Sequence, residues 1–485
     1  MKHEKINERM PGKARPAVAD EARFAGRPPA AVGGLSASPA RAGVRVDRAI
    51  TELRRGRPVR LTAAGGEQIL VVAVETMLPS SWAELTASGG ELNVTLTAER
   101  AHASGWSGSA TADTAVAVVA LPTGAGLPGA AVADEPAPLL PITLTLPAGF
   151  EPGGLADLAG LGLLGGEGIG EFATVTLDGE GAGRAAGPAQ AGITGIGRWN
   201  GLLAVQSASP AAQTTPAMRA ALELARLARL IPAVVTHALA GEVSAGPSNG
   251  GRSSREQDGD PDHLRVSAAD VVAYPSDRAS SLLRVSEAPV PLAGHENSRF
   301  VLFRETVADL EHIAIIIGNP DRSSPVLVRL HSSCLTGDLF ASLRCDCGDQ
   351  LRGAINRLGE GGGVLLYLAQ EGRGIGLANK LRAYASQDTG LDTIDADRYL
   401  GFRGDERNFG VAVQMLKVLG IARIRLLTNN PAKIAALRQA GLDVVERLPI
   451  GGQVNRHNER YIATKRDRAG HLIDVSAVSP ARQAI

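Results

Sequence analysis

Cysteine is scarce: three occur in 485 residues, an odd number and too few to staple a chain of this length with disulfides. Aromatic residues make up only 3% of the chain, and neither sign of charge is in excess, since Lys+Arg and Asp+Glu are 50 each. Without a cationic surplus there is no broad surface to track a phosphate backbone, which excludes a general nucleic-acid binder. Nowhere do about 18 apolar residues run together as a membrane span requires. The opening MKHEKINERMPGKARP is polar where a secretory signal carries an apolar core. A soluble, cytoplasmic protein with no nucleic-acid and no membrane partner is expected. The hydrophobic share, 44%, is ordinary for a globular chain, and the length allows two or three domains.

Residues 1–42 are rich in Ala, Arg, Gly and Pro without apolar periodicity and read as a disordered tail. From Val44 the pattern tightens. Val46, Ile50 and Leu53 fall at helical spacing in VDRAITELRRG, with Gly56 as a C-cap before the apolar stretch after Pro58. Residues 122–195 form a Gly, Ala and Pro-rich insertion. Its glycine repeats imply no dinucleotide loop, because Gly-biased sequence produces such spacings freely and no strand-to-helix context surrounds them. A second helix is predicted from Met218 to Leu230, ending near Pro232. The Gly/Ser/charged stretch in 244–265 cannot bury a core and reads as a linker or solvated insertion. The first half is thus placed at 43–243 and the second at 266–485, where ten of the 16 aromatic residues lie.

The second half alternates elements. The residues predict a short apolar strand in VLLYLA (364–369), helices over 376–385 and over 405–420 closed by Gly420, and a strand over 424–428. A further helix follows, N-capped by Asn430 with Pro431 in its first position and closed by Gly441, before LDVVERL. The sum is α/β or α+β around a mixed sheet.

All three cysteines, Cys334, Cys345 and Cys347, fall in this half within one short window. Thiolates at i and i+2 can point the same way from an extended segment, and a third returning across the intervening turn completes three corners of a tetrahedron around one zinc per chain. Three protein ligands leave a fourth position for water, the arrangement of a catalytic zinc. Two other readings of the same residues are buried structural thiols and a structural zinc closed by His331. A nucleic-acid knuckle is disfavoured by the two acids in LRCDCGD.

RLHSSCLTGDLFASLRCDCGDQL, then YLAQEGRGIGLANKLRAYASQDTGLDT, GFRGDERNFG and LLTNNPAK, together resemble GTP cyclohydrolase II, from about Leu283 to the C-terminus and in that family's motif order. The resemblance implies a hydrolase of cyclic amidine C–N bonds at the first step of riboflavin biosynthesis. It would open the imidazole ring of GTP, release formate and pyrophosphate, and leave 2,5-diamino-6-hydroxy-4-(5-phosphoribosylamino)pyrimidine. Tyr384, in the RAY motif, would assist proton transfer; Arg407 would attack the α-phosphate, with Asp405 as its acid/base partner. Taken bare, DERNF reads as an ordinary helix start, whose N-terminus plus arginine also suits phosphate. GTP binding maps onto Arg329, Leu330, His331, Ser332, Ser333, Gln350, Glu371, Gly372, Arg373, Thr393, Thr428 and Lys433. Magnesium is expected on the triphosphate, and a homodimer is expected from the family. Many family members have Glu where this chain has Ser333, a departure shared with cyclohydrolase-like proteins of uracil degradation. A paralogue acting on another nucleotide and a non-catalytic nucleotide-binding scaffold are the alternative readings.

Residues 44–275 resemble, weakly, 3,4-dihydroxy-2-butanone 4-phosphate synthase, through VDRAITELRRGRPV and ALELARLARLIPAVVTHA. That family's acidic loop reads RLTAAGGEQ here, and its late Cys-Glu pair aligns with His237 and Ala238. The expectation is a degenerate synthase-like α/β domain retained as a scaffold or dimerisation element.

Overall fold

A computed structural model describes residues 39–87, 89–103, 106–111, 114–119, 141–146, 208–209, 214–239 and 263–473. The expected tail up to residue 38, nearly all of the 122–195 insertion with its glycine repeats, and the 244–262 part of the linker lie outside the described residues.

The first half is built on β1 (Val59–Thr62), β2 (Gln68–Ala73), β3 (Leu92–Leu96), β4 (Trp106–Thr111), β5 (Thr114–Val119), β6 (Ile142–Thr145), β7 (Ala208–Ser209), β8 (Ala233–Ala238) and β9 (Leu264–Ser267). Seven of these form one sheet in the order β7-β6-β3-β8-β2-β1-β9, antiparallel except for the β1–β9 pair, while β4 and β5 make a separate ribbon. Its helices are α1 (Pro39–Arg54), α2 (Pro79–Ala87), α3 (Ala98–Ala103), α4 (Pro216–Leu227) and α5 (Ala268–Ser280). α1 begins inside the stretch expected to be a tail, and Val46, Ile50 and Leu53 are buried along one stripe as their spacing predicts. Gly56 closes its end at φ +72°, where a Cβ would stand 2.0 Å from the carbonyl oxygen of Thr76. α4 is capped by Thr215, whose hydroxyl accepts from the Met218 amide. β9 extends the first half's sheet to residue 267, and Val271 and Tyr274 of α5 join that half's core, so its limit falls later than the sequence suggested.

The second sheet runs β10 (Leu282–Pro289), β11 (Ser298–Glu305), β12 (Leu310–Ile317), β14 (Gly363–Leu368), β13 (Val326–Ser332), β15 (Arg423–Leu427), β16 (Asp443–Leu448). The first four are antiparallel neighbours, and β14, β13, β15 and β16 are parallel, the mixed α/β sheet that the pattern implied. Its helices are α6 (Cys347–Gly361), α7 (Leu377–Asp388), α8 (Thr393–Tyr399), α9 (Gly410–Val418), α10 (Pro431–Gln439) and α11 (Glu459–Asp467). The chain leaves β13 through α6 to reach β14, then returns past β13 to β15 on its other side. Strand order therefore reverses at β13, and the carboxyl ends of β13, β14 and β15 open on one crevice.

The helix expected over 405–420 starts only at Gly410. Asp405–Asn408 form a loop instead, because their polar groups bond locally: the Arg407 amide donates to Asp405 Oδ1 at 3.1 Å and the Gly410 amide to Asn408 Oδ1 at 2.8 Å.

One core cluster belongs to both halves. Leu70, Val72, Leu85, Val94, Leu96 and Val235 of the first sheet's layer pack with Ile375, Ala383, Ala396, Leu400 and Phe402 from around α7 and α8. Polar bonds reinforce that seam: Arg382 Nη2 donates to Glu75 Oε1 at 2.7 Å, Asn379 Nδ2 to the Arg229 carbonyl at 2.7 Å and Thr97 Oγ1 to the Gly401 carbonyl at 3.1 Å. No helix among the described residues is long and apolar enough to cross a membrane.

Candidate active site

Alternation along β13 sorts its side chains. Val328 and Leu330 are fully buried in one core layer, while Arg329, His331 and, just past the strand, Ser333 share the opposite set and reach the crevice. Cys334 follows the strand; Cys347 opens α6. Cys345 and Cys347 come together through a turn centred on Asp346 (φ −100°, ψ 10°) and not from an extended segment as the sequence suggested. The three Sγ atoms lie within 4.8 Å of one another, with Cys334 and Cys345 3.7 Å apart.

That cluster fits a soft divalent ion. Three sulfurs converge, and Gly337 is packed against them so closely that a Cβ there would stand 2.8 Å from Cys345 Sγ and 3.0 Å from Cys334 Sγ. Hydrogen bonds from Cys345 and Cys347, together with Lys380, hold the Cys334 thiol well below its ordinary range, while the hydrogen bonds to Cys334 push the Cys345 and Cys347 thiols up. Asp346, between two of the cysteines, accepts from Lys465 Nζ at 2.7 Å and Gln350 Nε2 at 2.6 Å. Asp338 accepts from the Cys334 amide at 3.0 Å, from Tyr367 at 3.0 Å and from His331 Nε2 at 3.0 Å, so His331 faces Asp338 and is not a fourth corner. Gly337→Ala is accordingly expected to lower zinc stoichiometry, checked by elemental analysis with circular dichroism as the folding control.

Around the sulfurs lies a cleft whose empty volume, open solvent included, is about 1060 Å³. Arg329, His331, Ser332, Ser333, Gln350, Glu371, Gly372, Arg373, Thr393, Thr428 and Lys433 line it, with Tyr384, Arg407 and the cysteines. Two of the expected residues do not. Leu330 is fully buried in the core and contributes only its carbonyl, which accepts from Lys433 Nζ at 2.9 Å. Asp405 stands at the rim, binding Arg407 Nε at 2.7 Å and also Nη2, so that it aims the guanidinium from behind. Arg407 and Lys433 both lie over the Phe409 ring, at 5.3 and 5.8 Å.

Cations dominate the inner wall. Arg329 is bound only by neutral groups, the Leu427 carbonyl and Gln350 Oε1, and burial pulls it down to about 10. Burial, with Arg329 and Arg407 nearby, drives Lys433 well below the usual lysine range. Four buried polar atoms on lining residues have no partner: Arg329 Nε, His331 Nδ1, Ser332 Oγ and Gln370 Oε1. Asp397, also in the wall, is pushed up to about 7 by burial despite Arg373 at 3.4 Å.

Several lining residues escaped the sequence reading: Lys380, Gln370, Asp397, Tyr461, Lys465 and His471. Lys380 was within reach of it, since it precedes Tyr384 by one helical turn on α7. Its Nζ bridges Cys334 Sγ at 3.0 Å, Glu371 Oε1 at 2.8 Å and Thr336 Oγ1 at 2.9 Å, and it stands over the Tyr384 ring at 5.7 Å.

Fold and site together define an α/β protein with a cationic ligand cleft at a sheet switch point, beside a three-cysteine centre. The family model for GTP cyclohydrolase II matches residues 283–449. Over 254 residues the chain is 52% identical to GTP cyclohydrolase-2 of Azospirillum brasilense, covering 52% of this chain and 64% of that one. It is 54% identical over 172 residues to GTP cyclohydrolase-2 of Azotobacter vinelandii, 35% of this chain and 83% of that protein. It is 46% identical over 215 residues to riboflavin biosynthesis protein RibBA of Chlorobium phaeovibrioides, 44% of this chain and 52% of that one. The chain belongs to the GTP cyclohydrolase II family. It spans less than two thirds of the Azospirillum and Chlorobium relatives.

Proposed function

We propose that the protein opens the imidazole ring of GTP by hydrolysis, releasing formate and pyrophosphate, as the first reaction of riboflavin synthesis. The observation that carries this reading is the shared cleft: three convergent cysteine sulfurs at one side, and at the other buried Arg329 and Lys433, whose hydrogen bonds go to neutral groups only. A triphosphate supplies the missing negative charge, and magnesium would accompany it. Cys334, Cys345 and Cys347 would hold zinc, which when bound supplies a Lewis acid that brings the ionisation of water towards neutral pH.

The chain's own groups divide the remaining work. Glu371 is placed by the Leu335 amide at 2.6 Å and by Lys380, and its carboxylate can accept from a guanine edge. Tyr384, whose phenol burial keeps protonated, bonds with Thr336 and is available to hold or pass a proton at the ring. Asp405 occupies Arg407 Nε and Nη2 and so presents Nη1 to the phosphates, where the family's attack on the α-phosphate would occur. Ser333 stands where a carboxylate is common in the family, so the discriminating assay offers the zinc-loaded protein GTP and uridine nucleotides in parallel. Formate and pyrophosphate from GTP are the expected products; ring opening of uridine nucleotides with GTP untouched would replace this reading by the paralogue one.

Two variants separate the half-reactions. Tyr384→Phe is expected to slow formate release by about 100-fold while pyrophosphate release suffers less. Arg407→Ala should abolish pyrophosphate release. Equal small losses of both products in both variants would remove these roles.

The first half serves, in this reading, as a scaffold without synthase chemistry. Two acids among its described residues are engaged in structure: Glu67 accepts from the Ala217 amide, and Glu75 from the Ile231 amide and Arg382. Magnesium-dependent enolisation of ribulose 5-phosphate needs free carboxylates for both metal and proton. Dihydroxybutanone phosphate formation by the full chain would overturn the scaffold assignment.

A further inference from the structure

Beyond residue 449, where the family match ends, the chain turns back over the cleft. α11 and the residues after it, 459–473, bring Tyr461, Lys465 and His471 to its wall. The strap is fastened at two points in its C-terminal part. Arg468 Nη1 and Nη2 bind Asp395 at 2.6 and 2.8 Å, and Nη1 also meets Asp392, so the strap is tied to the start of α8, where Thr393 faces the cleft. The Leu472 amide donates to the Asn429 carbonyl at 2.8 Å, beyond the carboxyl end of β15.

His471 sits among the cations already assigned to phosphate. Burial, joined by Lys465, Arg373, Arg407 and Lys433, keeps the imidazole neutral, its pKa pulled down to about 3. The backbone amide of His471 is spent on the Lys465 carbonyl at 2.9 Å, yet its ring has no hydrogen-bond partner among the described residues. A neutral imidazole in a ring of positive charge, with a free N–H, is a donor waiting for an anion oxygen. Lys465 lies 4.2 Å above the Tyr461 ring and spends one of its three N–H bonds on Asp346.

We propose that the strap 459–473 is the phosphate-side wall of the cleft, with the His471 imidazole and the Lys465 ammonium as further contacts to the nucleotide's polyphosphate. The proposal rests on reading the cleft as a polyphosphate site, and it adds binding residues that neither the motifs nor the family match supplied. It also gives Arg468 a purpose: standing outside the cleft, it holds the strap shut over the substrate.

The test uses the full-length, zinc-loaded protein and two probes, inorganic triphosphate and guanosine, titrated by calorimetry at fixed ionic strength. His471→Ala is expected to weaken triphosphate binding about tenfold or more, the loss of one hydrogen bond to a charged group. His471→Gln, which keeps a donor, should recover part of it, and Arg468→Ala should weaken triphosphate in the same direction. Guanosine binding and zinc stoichiometry should be unchanged throughout. Wild-type triphosphate affinity in both His471→Ala and Arg468→Ala would overturn the proposal, as would equal losses for triphosphate and guanosine, which mark a merely structural role. GTP turnover is assayed separately. Strap-dependent triphosphate binding without formate release sinks ring opening and leaves the strap, whereas turnover with strap-independent triphosphate binding does the reverse.

Discussion

Serine at positions 334, 345 and 347 together is expected to leave a folded protein that retains no zinc and releases no formate from GTP. The sulfurs are all that the site offers a metal: His331 is turned to Asp338, and among the described residues no other group of three His, Cys, Asp or Glu side chains is spaced for one. A hydroxyl is a poor zinc ligand at neutral pH, so exchanging S for O removes affinity while changing little volume. The fold should survive, because the two core clusters on either face of the second sheet close without any of the cysteines. The loop is moreover fixed by Asp346 on Lys465 and Asp338 on the Cys334 amide. Elemental analysis, circular dichroism and formate release measured on one preparation decide the matter. Stoichiometric zinc in the triple variant would refute the ligand assignment, and loss of the circular dichroism spectrum would show the cysteines to be structural thiols.

How much of this was legible beforehand depended on whether the signal was local. Cys334, Cys345 and Cys347 stood out because they are the chain's whole cysteine content in one window, and their convergence follows from it. The caps at Gly56 and Asn430 were legible because each is decided within a few residues. The DERNF segment was misread for the complementary reason. Its propensity allowed a helix, but the Asp405–Arg407 pair and the Asn408 side chain capture the backbone amides first. The turn at Asp346 was hidden because what holds it, Lys465, lies far along the chain. Leu330 was carried over by motif position, although strand alternation sends it to the core between Arg329 and His331. The seam between the halves could not be read at all: the apolar residues of β2, β3 and β8 announce a buried face, but not that α7 and α8 cover it.

That seam sets the second large expectation: residues 266–485 alone should lose most GTP turnover and much of their solubility. The same helix, α7, carries Lys380 and Tyr384 on its cleft side and Ala383 on the seam, and α8 brings Thr393 to the cleft with Ala396 in the seam. Removing the first sheet uncovers Ile375, Leu400 and Phe402, each worth about 1.5–3 kcal/mol of burial, which together rivals the roughly 5–15 kcal/mol by which a domain is stable. It also strips Asn379 of the Arg229 carbonyl and Arg382 of Glu75, freeing α7 to shift along its axis. Placement of Tyr384 within catalytic reach would then be lost before zinc is, because the cysteines hang on β13 and α6 and not on α7. Leu96→Asp in the full chain provides the matching point test. It charges the seam under α7 and α8, does not itself line the cleft, and should reduce formate release while zinc stays near one per chain. Turnover and thermal stability of both proteins are compared with the intact chain. If the fragment turns over GTP at the full-length rate, α7 and α8 are held by the second half alone, and the first half has no part in building the site.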